Sequence, residues 1–140
     1  MERTSSSQRL EVYSKSTNDI QIEVVPEFLE RESDVEQSAF AFAYTVTIRN
    51  NNQHTVKLIN RHWIVLSGGK QIADVKGEGV VGQQPTLRPG EEFEYTSGTM
   101  IVDSVGSMHG TYTFQNEVGE FFDVSIPSFN LYYMTSDAIH

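Results

Sequence analysis

From Ile20 onward, apolar residues recur at every second position, and nowhere do they hold helical spacing over a dozen residues. A period of two marks strands with one buried face, because successive side chains of an extended chain point to opposite sides. Phe40, Phe42, Tyr44, Val46 and Ile48 form the longest such row. The opposite face of that strand carries Ala39, Ala41, Ala43, Thr45 and Thr47, small enough to lie beneath a second layer. Ile20, Ile22 and Val24 precede it, and Pro26 then demotes that stretch to an edge or a bend. Asn50-Asn51-Asn52 marks a turn, since Asn tolerates left-handed backbone angles. Val56, Leu58 and His62 to Leu66 are strand material, Gly68-Gly69 a tight hairpin, and Ile72 to Val75 the return strand. After an irregular stretch from Gly77 to Gly90, strands are expected at Phe93 and Tyr95, at Met108 to Phe114 and at Phe122 to Ile126. Pro127 reads as a stop, followed by a last short strand at Phe129 to Tyr132. Seven or eight short strands with regular turn signals predict an all-β antiparallel sandwich or barrel.

A chain of 140 residues fits one domain, and it can bury a core without covalent staples. It has no cysteine, so disulfides, thiolate metal sites and thiol nucleophiles are excluded. Residues 1–18 are polar and charged and read as a flexible arm; residues 19–133 carry the domain, and 134–140 a short tail. The longest apolar run is Ala39 to Tyr44, and the start has no hydrophobic stretch, which together predict a cytoplasmic protein with no membrane span.

The formal net charge is −9, which disfavours nucleic acid and anionic membranes as partners. That charge is unevenly spread. Between Arg49 and Arg88 there are six bases and only two acids, so an anionic ligand is to be sought there. Gly77-Glu78-Gly79-Val80-Val81-Gly82 matches G-x-G-x-x-G, the dinucleotide fingerprint, which needs a helix to open at its third glycine. Pro85 and Pro89 follow instead, so no helix can start and a Rossmann site is excluded. A looser anion nest of backbone amides stays open: Gly77, Gly79 and Gly82, with Lys76, Arg61 and Arg88 as flanking cations for a pyrophosphate or nucleotide.

Taken in order, several short motifs resemble one family. They are Asn50-Asn51, Val56-x-Leu58-x-x-Arg61-His62-Trp63-Ile64, Val75-x-Gly77-Glu78-Gly79-Val80-Val81-Gly82-x-Gln84-Pro85 and Leu87-x-Pro89-Gly90-Glu91. Tyr95-Thr96-Ser97-Gly98, Gly106-x-Met108-x-Gly110-x-Tyr112 and Phe122-x-Val124-x-Ile126-Pro127-x-Phe129-x-Leu131 continue the series. This pattern, over about residues 19 to 133, resembles the ApaG family. The resemblance implies a fibronectin type III-like (immunoglobulin-like) β-sandwich, an association with cobalt and magnesium homeostasis, and a partner-binding role for fused domains. It implies no catalytic reaction.

The residues themselves agree with a non-enzyme. Ser, His and Asp are plentiful, but no G-x-S-x-G elbow is present, and Glu91, Glu92 and Glu94 read as a solvated strand start. His54, His62, His109 and His140 lack ligand spacing, so no metal residue and no cofactor is assigned, direct divalent-cation binding remaining an alternative. Trp63 is expected in the core between two sheets. Phe129, Leu131, Tyr132 and Tyr133 either close one sheet or, if partly exposed, form a patch for a partner. The expected function is therefore protein recognition by a β-sandwich module, with nucleotide or pyrophosphate sensing as the alternative and a homodimer through a sheet edge as an open option.

Overall fold

The structure is a computed structural model that describes residues 10–133. It contains nine strands: β1 (Tyr13–Thr17), β2 (Ile20–Phe28), β3 (Phe40–Asn50), β4 (Val56–Ser67), β5 (Lys70–Glu78), β6 (Thr86–Leu87), β7 (Glu92–Ile101), β8 (Val105–Gln115) and β9 (Phe121–Tyr132). Among the described residues a 3-10 turn, Val35–Gln37, sits in the loop after β2. Every pairing between these strands is antiparallel. One sheet runs β1-β2-β3-β7 and the other β5-β4-β8-β9, with β6 pairing the start of β4, and the two form a β-sandwich.

Alternation decides which face is buried. Phe40, Phe42, Tyr44, Val46 and Ile48 of β3 are all 6% exposed or less and face Leu58, Trp63, Val65, Tyr112, Phe114, Phe129 and Leu131 of the other sheet. The alanine and threonine face of β3 is the outer one, so the second layer lies over the aromatic row instead. Trp63 packs among Tyr44, Phe129 and Tyr112 at ring distances of 5.2, 5.9 and 6.2 Å. Along one side the sheets close on each other: Tyr13 meets Phe129 at 6.1 Å, and Ser125 N–H donates to Thr17 Oγ1. The opposite side, with the outer edges of β5 and β7, has no further strand among the described residues.

Three expectations are corrected. The polar arm is strand from Tyr13 to Thr17, because its backbone completes the edge of β2; residues 1–9 and the tail 134–140 lie outside the described residues. Pro127 does not stop the chain, since β9 runs through it. Met108 pairs with Phe129 and Gly110 with Ile126, so Pro127 and Ser128 together oppose His109, and a bulge tolerates the missing N–H. The return strand extends past Val75 to Glu78, which places the first glycine of the glycine-rich motif inside β5. Pro26 behaves as expected, because β1 covers β2 only up to Val24 and Pro26 lies on the bare edge beyond it.

A braced hairpin at the sandwich rim

Val80 and Gln83 exchange both backbone hydrogen bonds, at 2.8 and 2.9 Å, closing a two-residue hairpin around Val81 and Gly82. Both central residues have positive φ, 45° for Val81 and 78° for Gly82, as tight hairpins demand. Glycine takes that shape freely. A β-branched valine does not, and its presence there marks strain held by the surroundings.

The brace is Arg61. It shares strand parity with Trp63 and Val65, so its side chain turns inward at the rim of the sandwich rather than out to solvent. Its Nη1 donates to the carbonyls of Glu78 and Gly79, each at 2.9 Å. The guanidinium lies flat against Gly77, where a Cβ would sit only 2.8 Å from Nη2. Gly79 N–H donates to Ile59 O, and the Gln84 side-chain amide donates to the same carbonyl. Val80 is buried beneath the hairpin, while Val81 is half exposed at its tip.

Beside the hairpin, on the outer face of β5, β4 and β8, runs a shallow groove of about 440 Å³ lined by Asn60, Arg61, His62, Lys76, Gly77, Glu78 and Thr113. His62 Nε2 lies 2.7 Å from Asp74 Oδ1. Arg61, Lys76 and Gly77 all border this groove, but Arg61 turns to the inner face and is engaged with carbonyls while Lys76 stands on the outer face opposite His62; Gly79 and Gly82 belong to the hairpin. Arg88 does not join them. It follows β6, which pairs with Val56 and Lys57, roughly 13 Å back along β4 from Arg61, and its guanidinium lies 3.5 Å from its own neighbour Glu91. The amides of Gly79, Val80 and Gln83 are already taken by the chain itself, leaving those of Val81 and Gly82.

Behind Arg61 lies a polar cluster that the sequence reading took only as strand material. Tyr95 and Tyr112, both buried, share a hydrogen bond between their hydroxyls. Burial pushes the Tyr95 hydroxyl well above its ordinary range, despite the bond from Tyr112. Tyr112 rises for the same reason, with Tyr95 adding to the effect. Tyr44 is also raised by burial, partly offset by a bond from Ser97 and by the charge of Arg61. A signal was available: tyrosines at inward-facing positions of a sandwich each need a partner for the phenol.

The remaining candidates are scattered. His54 lies 3.4 Å from Glu117 at another corner, and among the described residues no group of three or more His, Asp or Glu is placed to hold a metal ion. Glu92 pairs with Arg49 at 2.6 Å, and Glu94 accepts from Thr47, so these carboxylates act on the sheet surface. Phe129 and Leu131 are buried, Tyr133 packs on Phe28 and Phe40, and only Tyr132 is exposed. No helix among the described residues is long and apolar enough to cross a membrane.

A family model described as the ApaG domain matches residues 30–116. Protein ApaG of Acidithiobacillus ferrooxidans is 49% identical over 113 residues, covering 81% of this chain and 89% of that protein. Protein ApaG of Methylocella silvestris is 48% identical over 120 residues, covering 86% and 92%. A crystal structure named for an ApaA protein of Bordetella pertussis superposes with a TM-score of 0.79 at 45% identity, covering 81% of this chain and 93% of that one. None of these names states a reaction.

Proposed function

Because this chain belongs to the ApaG domain family, we propose that it is a non-catalytic recognition module whose partner is a protein, engaged at the hairpin Val80–Gln83 and the adjoining groove. The observation that carries this reading is Val81. A half-exposed apolar side chain is held in a backbone shape that costs a β-branched residue energy, on a loop anchored by two hydrogen bonds from Arg61. Such a rigid apolar tip, next to a groove lined by Lys76, Glu78 and His62, suits a protein surface, since preorganised groups lose little entropy on docking. The link to cobalt and magnesium homeostasis that the resemblance implies would then run through the partner.

The test is a photo-crosslinking side chain at position 81 of the full chain. A single adduct of defined mass is expected, competed by unlabelled wild type but not by Val81→Asp. Absence of any such adduct rejects the reading.

The alternative is a pyrophosphate or nucleotide held by the free amides of Val81 and Gly82 with Lys76 alongside. Against it stand the internal bonds of the other loop amides, the engagement of Arg61 with carbonyls and the distance of Arg88. Thermal shift with pyrophosphate, lost in Lys76→Glu, would favour it. Gly79 is unsuitable for that test, because a Cβ there would lie 2.2 Å from Gln83 O and wreck the hairpin itself.

A further inference from the structure

Strand β5 pairs with β4 along one side only, and its other side meets no strand among the described residues. Ile72 and Val75 are 44% and 43% exposed on it. Sheet edges are usually blunted by a bulge, a proline or an inward charge, since bare backbone invites another strand. From Ala73 to Glu78 the register against β4 is unbroken, and the strand contains no proline. We propose that two copies of this chain associate by antiparallel pairing of β5 with β5, centred on Val75.

The register follows from charge. Asp74, Lys76 and Glu78 alternate with Ala73, Val75 and Gly77 and share the outer face. Two antiparallel copies must set like faces together, so the permitted registers step by two residues. Centring on Asp74 opposes Asp74 to itself. Centring on Lys76 opposes Lys76 to itself and Asp74 to Glu78. Centring on Ala73 runs each strand into the other's bulge, which lies opposite Val65 and Leu66. Centring on Val75 sets Asp74 against Lys76 twice, Val75 against Val75 and small Ala73 against Gly77. Centring on Gly77 also opposes Lys76 to Glu78 twice, but it pairs only Lys76 to Glu78 of each strand before the chain leaves β5, so the Val75 register is the longest self-complementary one. The other edge strands offer no such match: β7 carries Glu92 and Glu94 and β9 carries Asp123 with no basic residue, while β1 carries Lys15 with no acid.

A pairing this short falls below the roughly 1,200 Å² of standard stable interfaces, so the dimer exchanges with monomer and depends on concentration. Its ion pairs are exposed and therefore salt-sensitive. The inference is independent of the partner proposed above, because its readout is the size of the purified chain.

The test is sedimentation of the full chain from micromolar to millimolar concentration. The wild type should show a monomer–dimer equilibrium that weakens with added salt. Lys76→Asp and Asp74→Lys should each weaken it by roughly tenfold or more, by turning two attractive cross-strand pairs repulsive. Mixing those two variants in equal amounts should restore the dimer, because the heterodimer regains both opposite-charge pairs. The chain has no native cysteine, so Val75→Cys should oxidise to a covalent dimer while Glu94→Cys on β7 should not. Monomer at every concentration, a dimer indifferent to both charge changes, or a mixture that fails to recover would overturn the proposal. For variants that fold poorly, the Val75→Cys result decides.

Discussion

Val81 and Arg61 describe between them how one loop is held. Left-handed backbone costs a residue with a Cβ about 1–2 kcal/mol, and more side-chain branching makes it worse. Since the Val81 side chain is half exposed, removing it forfeits little burial. Val81→Gly should therefore raise stability by about 1 kcal/mol, read as a higher urea midpoint; a lower midpoint would show that no strain is stored there. Gly77 has a different role. It leaves room for the Arg61 guanidinium, whose far end is the nearest atom to the missing Cβ. Gly77→Ala should push that group aside and free the carbonyls of Glu78 and Gly79. The expected sign is faster amide exchange at Gly79 and Gln83 with a nearly unchanged melting temperature, because a flexible side chain can move without disturbing the sheets.

At the scale of elements, the contact between β4 and β8 is the most demanding. Gly110 stands opposite Trp63, and a Cβ there would come within 2.0 Å of the His62 carbonyl oxygen. Backbone cannot step aside as a side chain can. Gly110→Ala should thus cost about 3 kcal/mol or more, measured by denaturant unfolding, through forced separation of the central pair of the second sheet. The same region holds the bulge that lets Pro127 lie inside β9. A proline reads as a strand end because its missing N–H breaks a ladder, yet a bulge removes the need for that bond. Whether a bulge forms depends on the partner strand, which is why the sequence pointed to two strands where one runs through. The segment Tyr13–Thr17 was missed for a related reason. Its residues alternate too little to bury a face, and its strand form comes from the edge that β2 presents.

For the whole molecule, two predictions follow from the shared interior. Trp63→Ala should cost about 3–5 kcal/mol, since the indole is 4% exposed and touches three other rings across both sheets; an unchanged melting temperature would exclude that role. The tyrosine cluster sets the alkaline limit. Tyr44, Tyr95 and Tyr112 have hydroxyls raised above the ordinary phenol value of 10.0 in the folded state, mainly by burial. The unfolded chain ionises near that value while the native fold keeps its protons, so stability is intact below about pH 10 and falls as pH rises beyond it. Absorbance titration at alkaline pH should show these three of the six tyrosines ionising only as the fold is lost. Their ionisation before unfolding would contradict the buried network.

What the sequence determined alone was the layer plan. Period-two apolar rows, turn dipeptides and a lone tryptophan are local properties of extended chain, and they pointed to an antiparallel sandwich or barrel with the indole in its core. The same local logic excluded a dinucleotide helix, because two prolines act on the few residues beside them. The tertiary structure decided everything that depends on residues far apart in the chain. It turned Arg61 from a ligand-facing cation into a brace for two carbonyls, separated Arg88 from the glycine-rich hairpin, joined Tyr95 to Tyr112 and left β5 as an open edge. Those outcomes depend on which strand lies beside which and where bulges shift the register. Pairing is set by the packing of both sheets together, so no single stretch of sequence carries it.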